Sequence, residues 1–147
     1  MISPLPPEQT GIANYLADLL PELSSVYDIT MVSDQPEVFL GPQGQTFHVE
    51  YIAWFEEHAS EFTRIVYHVG NSPFHAHMID LLARHPGVVV LHDFFISSLK
   101  LWMEVTGYRA SAFKASLCHS HGYGALVQLD SEGEDSAKFN WPCSYSV

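Results

Sequence analysis

Apolar and polar positions divide the 147-residue chain into short segments that alternate between helical and strand-like spacing. After the opening Met1-Ile2-Ser3-Pro4-Leu5-Pro6-Pro7, Thr10 has the chemistry of an N-cap. Gly11 then opens a predicted helix on which Ile12, Leu16, Leu19, Leu20 and Leu23 recur at helical spacing. Pro21 falls inside that pattern and deprives the carbonyl of Ala17 of its usual partner, so a kink is expected in the last turn. Residues 27–32 alternate like a strand. A polar loop with Pro36, Gly41, Pro42 and Gly44 follows, and residues 46–52 form a short strand candidate. A helix is predicted over 54–62, with Trp54, Phe55, His58, Ala59 and Phe62 on one side. A stronger strand signal over 64–69 ends at Gly70-Asn71-Ser72-Pro73, before a helix over 74–84 with Met78, Leu81 and Leu82 inward. Pro86-Gly87 turns the chain into Val88-Val89-Val90-Leu91, an apolar run typical of a strand covered on both faces. Helices are predicted over 95–105, 110–117 and 121–129, followed by an acidic turn over 130–135 and then Trp141-Pro142.

Strands that alternate with helices imply a parallel sheet with crossover helices, an open three-layer α/β domain of Rossmann-like type. The expected strand order is 3-2-1-4-5, with Met1–Ser3 as the remnant of a nearly missing strand 1. In such sheets ligands bind beyond the carboxyl ends of the strands, where the strand order reverses. Function is therefore sought in the loops 4–11, 70–73 and 92–95. No repeat or Gly/Ser-rich linker divides the chain, and its length suits a single domain over residues 1–147, or part of one.

An apolar share of 47% with only 16% charged residues supports a packed core. No apolar run reaches the roughly 18 residues a membrane span needs. The opening also lacks the basic flank and apolar stretch of a signal peptide, so a cytoplasmic location is expected. Net charge is −11, unevenly placed. Residues 1–63 hold ten acids and no Lys or Arg, whereas residues 64–147 hold all six cations against seven acids. Without clustered cations to displace counterions, nucleic acid is an unsuitable partner, and anionic membrane is disfavoured for the same reason. Cys118 and Cys143 stand far apart with no C-x-x-C, so both are expected as free thiols, Cys118 buried.

Gly11 lets a ligand approach the backbone at a helix start whose N–H groups favour an anion; a cap with close packing explains it equally well. His92-Asp93 follows the apolar strand. There an imidazole can donate to a sugar or phosphate oxygen or move a proton, with Asp93 orienting it or binding substrate hydroxyls. The alternative is that Asp93 caps the next helix and His92 packs under the loop. His68 and Asn71 lie at the neighbouring strand end, where Ser72 and Pro73 have ordinary helix-start chemistry. The pairs His75/His77 and His119/His121 have neither the i, i+4 spacing of helical zinc ligands nor a thiolate set, so no metal site is expected. Most aromatic residues of Trp54-Phe55, Phe94-Phe95 and Trp102 are assigned to the core.

Several of these segments resemble one family. Ser3-Pro4-Leu5-Pro6-Pro7 followed by Thr10-Gly11-Ile12-Ala13 and Tyr15 is similar to the first loop and helix of family 4 (group 1) retaining glycosyltransferases of the GT-B fold. Gly70-Asn71-Ser72-Pro73-Phe74-His75 and Val88-Val89-Val90-Leu91-His92-Asp93-Phe94-Phe95 are similar to later motifs of that family. Ser120-His121-Gly122-Tyr123 with Trp141-Pro142 resembles one bacterial subgroup. The resemblance spans nearly the whole chain, over the family's N-terminal, acceptor-side domain.

The resemblance implies transfer of a hexosyl group from a nucleotide sugar to a glycan or other acceptor, with retained configuration and no metal or other cofactor. It assigns Gly11, with Thr10, to the donor diphosphate and His92 to a donor sugar hydroxyl, and makes Asp93, Asn71, His68 and His121 candidates for acceptor or sugar contacts. The family's central strand is reduced here to Met1-Ile2, which implies a trimmed start or a slot filled by another chain, for instance in a homodimer. The C-terminal domain with its E-x₇-E carboxylates is absent from the sequence, so the isolated, truncated chain is expected to be inactive. Two rival readings are a non-catalytic glycan- or subunit-binding half-domain and a His-dependent metal hydrolase.

Overall fold

The computed structural model describes residues 1–35, 38 and 47–132. Gly41, Pro42, Gly44, the Trp141-Pro142 pair and Cys143 lie outside the described residues, as does Pro36. The fold is mixed α/β with small parallel sheets, and it divides into two compact units, residues 1–69 with 77–92 and residues 70–76 with 93–147.

In the first unit, α1 (Gly11–Ser24) starts where its cap chemistry places it, with Thr10 Oγ1 accepting from the Ala13 N–H at 3.0 Å. Leu16 and Leu20 are buried with Leu5 and Met31 in one apolar cluster, and Pro21 sits inside the helix as expected. Strand β1 spans only Thr30–Val32, not the whole of 27–32. The N–H groups of Val26 and Tyr27 donate to Leu23 O, so these residues close the helix end and are not available to a strand. β2 (His48–Glu50) pairs parallel with β1, and Ile52 already belongs to α2 (Ile52–His58), which ends in a 3₁₀ turn over Ala59–Glu61.

β3 (Val66–Val69) and β4 (Val88–Leu91) pair in parallel through the crossover helix α3 (Ala76–Arg84), whose Met78 and Leu81 are buried. Ile2 bridges in parallel to both Val32 and Tyr67. Its N–H donates to Val66 O at 2.8 Å and its carbonyl accepts from His68 N–H at 3.0 Å. On the other side, Ser3 N–H donates to Val32 O and Val32 N–H to Met1 O. Met1–Ser3 thus bonds to Val32 of β1 on one side and to β3 on the other.

β4 departs from expectation. It is not covered on both faces, since Val88 and Leu91 are each 51% exposed and Val89 is 41% exposed. β-branched side chains favour the extended backbone whether or not anything packs on them, so the valine run specified the strand but not its burial.

The second unit is helical. Asn71 and Ser72 lead into a 3₁₀ turn over Pro73–His75, and three helices follow: α4 (Ser97–Val105), α5 (Ala112–His121) and α6 (Tyr123–Glu132). Phe113, Leu117, Ala125 and Leu129 form its core, with Leu101 and Leu126 against them. Gly122 at φ 80° separates α5 from α6, so the helix expected from His121 begins at Tyr123. Asp130–Glu132 continue α6 and are not the acidic turn expected there. Cys118 is half-buried and free, less enclosed than expected. Most of the aromatic clusters were expected in the core, and Phe94 is outside it at 88% exposed. Among the described residues no helix is long and apolar enough to cross a membrane.

Candidate functional site

In the first unit the carboxyl ends of β3 and β4 bring two histidines together. The register pairs His68 with Val90 and Val69 with Leu91, and the His92 N–H donates to Val69 O at 2.9 Å, carrying the pairing one residue past β4. His92 consequently stands beside His68, with His68 Nδ1 and His92 Nε2 2.9 Å apart. The two side chains differ in setting: His68 is buried and His92 is exposed.

Tyr15 from α1 completes the group. Its ring meets His92 edge-on at a centroid distance of 5.2 Å and lies 6.2 Å from the ring of His68. Gly11 precedes Tyr15 by one helical turn, and residues four apart share a helix face. A Cβ added at Gly11 would meet nothing within 4 Å. Close packing therefore does not require a glycine at this position. Thr10 takes the Ala13 N–H with its hydroxyl and the Asn14 N–H with its carbonyl at 3.2 Å. The N–H groups of Gly11 and Ile12 carry no such bond among the described residues and point out of the first turn.

The loop before α1 is pinned by a residue that the sequence did not single out. Gln35 Oε1 accepts from Leu5 N–H at 2.7 Å and from the Ser33 hydroxyl at 2.8 Å, while its Nε2 donates to Leu5 O at 2.6 Å. A glutamine in a polar loop carries no local signal of that role. Tyr15 lies four residues after Gly11, and that i, i+4 spacing is the sequence signal that links the two.

In the second unit Asn71 and Asp93 have structural partners. Asp93 Oδ2 accepts from the Asn71 N–H at 2.6 Å, and Asn71 Oδ1 accepts from the Leu99 N–H in the first turn of α4 at 3.0 Å. The helix is capped by Asn71 across 28 residues of sequence, and Asp93 holds the backbone of that capping residue. His121 ends α5 and is exposed.

Two further groups show how burial acts on titration. Tyr67 is buried in β3 and donates its hydroxyl to His85 O at 2.6 Å. Burial pushes its pKa up to about 12 against the pull of Arg84. His77 is held below the usual imidazole value by burial, with Asp34 opposing. No group of three or more His, Cys, Asp and Glu side chains among the described residues has the geometry to hold a metal ion. Comparison with protein-family models, with curated proteins and with solved structures gives no match to this chain.

Proposed function

We propose that the chain is the acceptor-side domain of a retaining GT-B glycosyltransferase of family 4, a part of an enzyme that moves a sugar from a nucleotide sugar to a glycan or other acceptor. In this reading Met1–Ser3 is strand 1, and β1, β2, β3 and β4 follow as strands 2 to 5 in the order 3-2-1-4-5. The observation that carries it is the His68–His92 pair at two parallel strand ends, beside Tyr15 and one turn from the unobstructed backbone of Gly11. Ligand-binding crevices of open α/β sheets lie at such strand ends.

The roles follow from chemistry. Gly11 and Ile12 offer backbone N–H groups to the donor diphosphate, and Thr10 orders that turn. His92 hydrogen-bonds a donor sugar hydroxyl, which fixes the sugar for reaction. The remaining charge stabilisation falls to a C-terminal domain, because the first 63 residues contain no Lys or Arg. The 147-residue chain alone is therefore expected to bind nucleotide sugars weakly and to release no nucleoside diphosphate from them.

Titration of the ¹⁵N-labelled chain with UDP-glucose and with GDP-mannose tests the reading. The expected shifts gather on the amides of Gly11 to Ala13 and on the His92 ring, and the response shrinks in Gly11→Val and His92→Ala. Shifts confined to other residues, or none with a wider set of sugar nucleotides, overturn it. So does turnover by the chain alone.

A further inference from the structure

We infer that His68 is a positioning residue for His92: it holds the exposed imidazole by Nε2, so that His92 meets a ligand through Nδ1. The role of His92 toward a ligand rests on the function proposed above, while the coupling of the two rings rests on geometry alone. A neutral imidazole has one N–H and one lone pair. Across the 2.9 Å between His68 Nδ1 and His92 Nε2, one nitrogen donates and the other accepts. The link therefore carries one proton and ties the tautomers of the two rings together. When His68 donates, His92 is protonated on Nδ1 and its outer nitrogen is a donor. When His92 donates, that outer nitrogen is an acceptor.

The asymmetry of burial says which ring directs the other. His68 is 2% exposed within β3, its backbone bonded to Ile2 and its strand paired with β4, so the ring cannot reorient freely. His92 lies one residue beyond β4, exposed, and without the link its side chain would be free to sample several rotamers. Tyr15 limits it from a second side, with its ring edge-on at 5.2 Å. Two contacts from different elements thus fix the exposed ring. The outer nitrogen is a donor in one neutral pair and an acceptor in the other. The exchange shifts the bridging proton, takes one proton from His92 Nδ1 and delivers one to His68 Nε2. Either form can meet a hydroxyl, which itself both donates and accepts. An oxygen that only accepts, such as a phosphate oxygen, would select the form in which His68 donates.

The test is nuclear magnetic resonance of the full chain with ¹⁵N-labelled histidine, without any ligand. A ¹⁵N–¹⁵N coupling across the hydrogen bond is expected between His68 Nδ1 and His92 Nε2. In His68→Phe that coupling is lost and the His92 ring-nitrogen shifts move toward those of a free imidazole. His68→Asn, whose side-chain amide lies near the place of Nδ1, restores them in part. Should His68→Phe fail to fold, His92→Phe at the exposed position gives the reciprocal readout, a change in the ring-nitrogen shifts of His68. No coupling in the wild type, or His92 shifts that are the same in wild type and His68→Phe, overturns the inference. These spectra use no sugar nucleotide. A failed titration with UDP-glucose would sink the functional reading and leave the pair intact, whereas a missing coupling would remove the pair and leave the titration result standing.

Discussion

A Cβ built on Gly87 would sit 2.5 Å from Ile65 O and 3.0 Å from both Ile65 Cβ and Tyr67 Cε2, whereas one built on Gly11 would meet nothing within 4 Å. The two glycines therefore answer to different constraints. Gly87→Ala forces a methyl group against the Ile65 carbonyl oxygen just before β3, and is expected to lower stability by about 1–3 kcal/mol. Gly11→Ala is expected to stay within about 0.5 kcal/mol of wild type, since alanine is the better helix former. Urea unfolding of both variants checks the contrast. His77 supplies a pH prediction. Its Nε2 is buried with no hydrogen-bond partner among the described residues, and burial depresses its folded-state pKa below the ordinary 6.5. The unfolded chain then binds the proton more readily than the folded one, so this contribution is complete above 6.5 and is lost as pH falls through 6.5 toward the folded value. Unfolding free energies measured at about pH 7.5 and about pH 5.5 should fall more for wild type than for His77→Gln. An equal fall in both would show that the burial of His77 does not govern the pH response.

Helix ends in this protein are served by side chains from elsewhere in the chain. Ser111, which precedes α5, is left-handed at φ 58° and makes no side-chain cap. Glu104 of α4 takes its place, with Oε2 accepting from the N–H groups of Phe113 at 2.9 Å and Lys114 at 3.0 Å. A carboxylate at a helix N-terminus satisfies orphan donors and opposes the positive end of the helix dipole. Glu104→Ala should lower stability by about 1–2 kcal/mol, and Glu104→Gln, which keeps an oxygen in place, by less. Thermal unfolding with hydrogen exchange at Phe113 and Lys114 measures both the global and the local effect. Asn71 serves α4 in the same way from a loop 28 residues away. Sequence spacing shows none of this, because only caps adjacent to their helices, such as Thr10 for α1, leave a local signature.

The whole molecule carries −11, with every Lys and Arg after residue 63, and an apolar strand edge at β4. Among the described residues β4 pairs only with β3, and Val88, Val89 and Leu91 are all well exposed. An exposed apolar edge invites pairing with other chains, and a lysine placed on it opposes that pairing. Val89→Lys should leave stability close to wild type, as expected of an exposed position, and should reduce concentration-dependent light scattering. Unchanged scattering would mean that another surface drives association.

Local spacing was sufficient for the helices and the parallel strands, because amphipathic period, Thr10 as a cap and the β-branched run at 88–91 act over a few residues. The same local terms placed His68 and His92 each at a strand end. Their 2.9 Å approach depends on the β3–β4 register, a non-local pairing that no window of sequence contains. Burial was the other non-local quantity. The exposure of β4, the exposure of Phe94 and the open space around Gly11 depend on what other segments bring to those surfaces, and hydrophobic residues favour cover without specifying its source.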